Sequence, residues 1–159
     1  MDNLLKLLKQ NARFTNEQLA SMLGITSQEV AARIEAMEQK GMIMGYSAIL
    51  NEELCDSGKV TAVIELKVTP RADGGFDDFA KTIMMYDEVE SVVLMSGAYD
   101  LAVTVTSTSL RDIAEFVARR LSTIDGILST ATHFVLKTYK DKGIFIEQEP
   151  DDERSYVSP

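Results

Sequence analysis

The chain has 159 residues, 45% hydrophobic and 26% charged, with one cysteine, one histidine and a net charge of −9. These are ordinary globular values; no window reaches the roughly 18 consecutive apolar residues of a membrane span, Cys55 alone makes no intramolecular disulfide, and no Cys/His cluster has metal-ligand spacing. The acidic excess argues against nonspecific polyanion binding by the whole chain, yet it is uneven: residues 1–50 hold five basic and five acidic side chains, the remaining 109 hold eleven and twenty, and the split points to two modules.

In the opening MDNLLKLLKQNA, over residues 1–12, Leu4, Leu5, Leu7, Leu8 and Ala12 recur at three- and four-residue spacing, and Phe14 closes this helical face. No continuous apolar region with a small-residue cleavage site follows, so a secretory signal is not read here and a cytoplasmic location is expected. Thr15 with Gln18 forms a capping-box pattern ahead of Leu19, Ala20 and Leu23, and Gly24 ends that short helix. A second box, Thr26 with Glu29, opens a helix whose Val30, Ile34 and Met37 run at i, i+4, i+7 until Gly41. Two helices joined by about three residues containing glycine form a helix-turn-helix, whose second helix is shaped to enter a DNA major groove. GMIMGYSAIL, over 41–50, reads as a short wing or connecting strand, and the polar NEELCDSG over 51–58 as a linker holding an inert Cys55 thiol.

From residue 59 the period changes. KVTAVIELKV alternates through Val60, Ala62, Ile64, Leu66 and Val68 as a strand that Pro70 terminates. Residues 75–86 place Phe76, Phe79, Ile83 and Met84 on a helical face. VESVVLMS and YDLAVTVT, separated by Gly97, predict an antiparallel hairpin. SLRDIAEFVARRLS is a helix capped by Ser109, with Leu110, Ile113, Ala114, Val117 and Leu121 as its expected buried face. ILSTATHFVLKT follows as a long fourth strand and GIFIEQ as a fifth. The order β-α-β-β-α-β predicts a ferredoxin-like α+β domain, a four-stranded antiparallel sheet with two helices on one face. The bare face needs a cover, and a partner subunit supplies one. The expected domains are thus 1–50, 59–148, the 51–58 linker, and a mobile acidic tail over 149–159.

LASMLGITSQEVAARIEAMEQKGMIMGYSAILN, the strand order, and SGAYDLAV as a Gly-x-x-Asp hairpin together resemble the Lrp/AsnC family of bacterial and archaeal regulators, over about residues 1–148. The resemblance implies a winged helix-turn-helix on double-stranded operator DNA. It also implies a C-terminal ligand-binding domain that dimerises through its sheets, often octamers of four dimers, and an amino acid or similar metabolite bound between dimers near Gly97 and Asp100. No cofactor, metal or membrane is implied.

For DNA, the reading helix begins at Thr26 and presents Ser27, Gln28, Ala31, Ala32, Arg33 and Glu35 outward. Ser27 and Gln28 are suited to hydrogen-bond base edges or phosphate, Arg33 to a phosphate or a guanine, and Lys6, Lys9 and Arg13 to the flanking backbone. The family usually carries several basic residues near the positions of Ala32, Glu35 and Ala36, and this chain does not; a domain of net charge zero binds a lone site weakly and with strong salt sensitivity. Assembly into a multivalent oligomer compensates; the alternative is a family member that has lost DNA binding and acts as a ligand-binding or assembly module. For the effector, Gly97 lets backbone approach a ligand, its amide neighbours suit a carboxylate, and Asp100 suits an ammonium group. Ser96, Tyr99, Thr130 and Thr132 are weaker candidates, whose hydroxyls either line the same pocket or face solvent, and His133 reads as a structural or surface histidine. There is no Ser/His/Asp order, no glycine-rich phosphate loop and no metal cluster, so an enzyme is not expected. The sirohaem decarboxylases share the family's fold, but their chemistry relies on added histidines and basic residues that a chain with one histidine lacks.

Overall fold

A computed structural model describes residues 2–55, 58–70 and 74–146. The chain divides into two compact units between Ala48 and Ile49. The expected tail over 149–159 lies outside the described residues.

The first unit is three helices: α1 (Asn3–Gln10), α2 (Asn16–Leu23) and α3 (Ser27–Gln39). Each start is fixed by a side chain that accepts an otherwise unpaired amide of the first turn, which stabilises by about 1 kcal/mol per cap. Asp2 accepts from the Leu4 amide at 2.8 Å, Thr15 from Gln18 and Thr26 from Glu29, both at 3.2 Å. Thr15 and Gln18 close a reciprocal box, the Gln18 Oε1 accepting from the Thr15 amide at 2.9 Å. The predicted second box is only half made, because the Glu29 side chain turns to Arg33 instead. Gly24, left-handed at φ 68°, ends α2, and the Ile25 amide donates to the Ala20 carbonyl at 3.1 Å. The core is Leu4, Leu19, Ala20, Val30 and Met37, with Phe14, Leu23 and Ile34 packed against it.

The expected wing strand over 41–50 is not formed: residues 43–50 carry no strand ladder. A strand needs a neighbour for its amides, and α1–α3 offer none. The segment is instead tied back to α3 by amides of Met42 and Ile43 donating to the Met37 carbonyl (2.8 and 3.3 Å) and by the Tyr46 hydroxyl donating to Glu38 at 2.9 Å.

The second unit is the predicted α+β domain. Strands β1 (Val60–Val68), β2 (Val89–Leu94), β3 (Leu101–Ser107) and β4 (Ile127–Phe134) form one antiparallel sheet in the order β2-β3-β1-β4. Ala62, Ile64, Leu66 and Val68 of β1 and Leu101, Val103 and Val105 of β3 point to one side, where Phe79 and Ile83 of α4 (Asp77–Ile83) and residues of α5 (Leu110–Phe116) bury them. Two faces differ from expectation. Met84 is 58% exposed, and in α5 the buried set is Ile113 and Phe116, while Leu110 is 55% exposed and Ala114 is exposed. Beyond α5 the helix widens through a π-type turn over Val117–Leu121, where the Ser122 amide donates to the Val117 carbonyl at 2.9 Å, and Val117 and Leu121 remain buried.

The fourth strand stops at Phe134, short of the expected 138. The fifth is reduced to β6 (Ile144–Phe145), which pairs with an unpredicted β5 (Lys140–Asp141) in a separate hairpin, not with the main sheet. The sheet face away from the helices carries Thr61, Val63, Glu65 and Lys67 of β1, Ala102, Thr104 and Thr106 of β3, and His133 of β4. His133 Nε2 lies 3.4 Å from Glu65 on that face, as a surface residue.

Candidate DNA interface and effector site

The candidates Thr26, Ser27, Gln28 and Arg33 stand on or beside α3. Val30 and Met37 are buried and Ile34 is partly so, which leaves Gln28, Glu29, Ala31, Ala32, Arg33 and Glu35 exposed and Ser27 half-buried. The Thr26 hydroxyl is engaged in the cap. Arg33, the one cation of α3, is ion-paired with Glu29 one turn back, both side chains nearly half exposed. Glu35 accepts from Gln39 at 3.3 Å, and Glu38 from Tyr46. The Tyr46 hydroxyl is held above the ordinary phenol range by burial first and by the Glu38 carboxylate second. Each acid of α3 therefore has a partner within its own unit. Lys6 and Lys9 are exposed on α1, and Arg13 is exposed just after it.

The effector candidates divide into two groups. Ser96, Gly97, Tyr99 and Asp100 share the tip between β2 and β3, which is closed by the Met95 amide donating to the Asp100 carbonyl at 2.8 Å. Ser96 and Gly97 are exposed and Tyr99 and Asp100 half-buried, and the space around the Gly97 α-carbon is open. Asp100 ties the tip to β1 twice: its amide donates to the Leu66 carbonyl at 2.9 Å, and its Oδ2 accepts from the Val68 amide at 2.8 Å. Thr130 and Thr132 lie elsewhere. They oppose Leu66 and Ile64 on β4, half-buried on the helix-covered side, with β1 between them and β3, a separation of about 10 Å at the usual strand spacing.

An open groove of about 440 Å³ in the second unit was not foreseen. The Asn51 side-chain amide donates to the Ile146 carbonyl at 3.4 Å across it, with Ile49, Leu54, Ile144 and Phe145 as apolar walls. The alternating GIFI was the one sequence signal for it; that residues 49–54 meet this hairpin is a contact across about 95 residues that no local pattern reveals. Among the described residues no group of acidic, histidine or cysteine side chains is placed to hold a metal ion, and no helix is long and apolar enough to cross a membrane.

Comparison with known proteins bears on both units. Residues 3–44 match a winged helix-turn-helix DNA-binding model, and residues 61–145 match the Lrp/AsnC ligand binding domain. An uncharacterised HTH-type transcriptional regulator of Bacillus subtilis, YugG, is 45% identical over 157 residues, covering 98% of this chain and 95% of its own. The leucine-responsive regulatory protein of Haemophilus influenzae is 24% identical over 143 residues, 90% of this chain and 86% of its own. Among solved structures, a transcriptional regulator of Neisseria meningitidis in complex with L-Met aligns with a TM-score of 0.70 at 26% identity over 89% of this chain and 93% of that one. Escherichia coli AsnC aligns at 0.68 and 26%, over 91% and 97%.

Proposed function

The chain belongs to the Lrp/AsnC family of transcriptional regulators, and we propose that it holds two α3 helices on a pseudo-palindromic operator while an amino acid, bound at the β2–β3 tip, shifts its assembly or its grip on DNA. The regulator role rests on the capped α2–turn–α3 unit joined to a family ligand-binding domain. That joining of a reader to a sensor is the observation that carries the reading. On DNA, Ser27 and Gln28 supply hydrogen bonds, Arg33 supplies the cation, and Lys6, Lys9 and Arg13 hold the flanking backbone. The Thr26 hydroxyl serves by setting the start of α3. The site of action is the cytoplasm, where the operator is.

At the tip, the exposed amides around Gly97 suit an effector carboxylate, with Ser96 and Tyr99 beside them. Asp100 keeps one oxygen on the Val68 amide, so its role is to hold the tip's shape as well as to attract an ammonium group. Thr130 and Thr132, on the far side of β1, belong to the pocket only if a second subunit completes it. The L-Met bound by the Neisseria protein supports an amino acid as the effector class. Gating requires unequal affinity of the effector for two states. The bare face of the sheet supports assembly into a homodimer, and contacts between dimers into an octamer.

A salt series with the full-length protein tests the reader, using DNA from upstream of its own gene against random duplex. Preference for the former at low salt is expected, and binding the two alike would leave the assembly-module reading in its place. A thermal-shift screen of the twenty amino acids tests the sensor. One at a hundred times its Kd should stabilise by about 2.7 kcal/mol, a rise of several degrees, and none doing so would remove the amino-acid effector.

A further inference from the structure

Two successive helices open with the same pattern, a threonine followed three residues later by a side chain able to close a capping box. In α2 the pattern closes, Gln18 returning to the Thr15 amide. In α3 the first half forms, but the Glu29 carboxylate leaves the cap and takes the Arg33 guanidinium at i+4. The pair sits on the exposed N-terminal half of the helix whose remaining exposed positions there are short or neutral: Gln28, Ala31 and Ala32. The lone cation of the reading helix is therefore not a free arm. A carboxylate beside it offsets part of its charge and engages one nitrogen of its planar fork.

This matters for what Arg33 recognises. A free arginine on a DNA-facing helix is drawn to the nearest phosphate, which carries no sequence information. A guanidinium held from one side keeps its other edge for a bidentate contact, and the matching bidentate acceptor on a base is guanine O6 with N7. A carboxylate in the same place repels phosphate and accepts from a cytosine amino group. We propose that Glu29 and Arg33 act as one base-reading couple: Arg33 reads a guanine in each half-site, and Glu29 is the positioning residue that keeps it off the phosphates, trading affinity for selectivity. The inference rests on the DNA-binding role proposed above.

The test selects DNA from a randomised duplex library with the full-length protein, then measures affinity across a salt series, for wild type, Glu29→Gln and Arg33→Lys. Both substitutions are at exposed helix positions, and circular dichroism verifies the fold. Wild type is expected to select a guanine at one position per half-site, with a preference of roughly 5- to 150-fold. Glu29→Gln should lose that preference while binding random DNA more tightly, with a salt dependence steeper by about one in slope as Arg33 gains a phosphate. Arg33→Lys should lose the same preference, because an ammonium group cannot make the forked contact. A Glu29→Gln variant that binds all DNA more tightly yet keeps the guanine preference would overturn the proposal, leaving Glu29 as a repulsive charge only. So would loss in Arg33→Lys of affinity without loss of base preference. Wild type that enriches no sequence fells the DNA reading itself and the couple with it, an outcome separate from the other two.

Discussion

At the scale of single residues, Asp100 changed most between sequence and structure. The Gly-x-x-Asp hairpin marks it as a binding carboxylate, and nothing local reveals that its Oδ2 accepts from the amide of Val68, 32 residues earlier. Truncating it leaves a half-buried amide without its charged acceptor, and hydrogen bonds to charged groups contribute about 1.5–3 kcal/mol. Asp100→Ala is accordingly expected to lower the free energy of unfolding by that amount in urea melts, and Asp100→Asn, which keeps an acceptor, by less. A ligand-response assay on the alanine variant alone would therefore confuse a lost contact with a loosened tip; the asparagine variant separates the two. Equal stability of wild type and Asp100→Ala in urea melts would show that the Val68 bond contributes nothing. Thr26 and Glu29 make the same point from the other direction: the spacing reveals that a cap forms, but not that its acid partner is claimed by Arg33.

At the scale of elements, what was legible was what depends on near neighbours. Alternation placed every buried residue of β1, because period two leaves one choice of face once a side is covered. The face of α5 was misread. Leu110 and Ala114 share helical spacing with Ile113 and Val117 as well as Phe116 does, and only the sheet below decides that Phe116 and not Leu110 goes in. Phe116→Ala should thus cost about 3–5 kcal/mol, whereas Leu110→Ala should stay within about 0.5 kcal/mol, as for an ordinary surface position. Reversed magnitudes in paired denaturation curves would put the face back where periodicity had it. The caps make a finer comparison: Thr15→Ala removes a reciprocal box and Thr26→Ala a single bond, so the first should destabilise the more, on a scale of about 1 kcal/mol. The wing strand expected over 41–50 does not form because a strand is a property of two segments, and residues 43–48 have no second one within their unit.

At the scale of the whole molecule, the sheet has its helices on one side only, and the other side presents Val63, Ala102 and Thr104 among charged neighbours. The β-α-β-β-α-β order alone implied this asymmetry, and with it the expectation of a covering subunit. What it could not give is the size of the assembly, since that depends on surfaces no periodicity reports. Val63→Lys places a charge at the centre of that face, pointing away from the core, and is expected to lower the assembled mass in native mass measurement while the far-ultraviolet spectrum stays unchanged. An unaltered mass would place the subunit contact elsewhere.

The π-type turn at Val117–Leu121 has a consequence for descent. Such a turn holds one residue more than an α-helix requires, and here it carries Leu121 to the core in company with Ile113, Phe116 and Val117. Were the codon for Ala118 or Arg119 lost, the four apolar residues would fall at i, i+3, i+4 and i+7, the spacing that an unbroken helix also buries. Most single-residue deletions inside a helix rotate everything beyond them out of register. This one is expected to be silent, so the fold would accept the loss of one residue at this place without loss of its core.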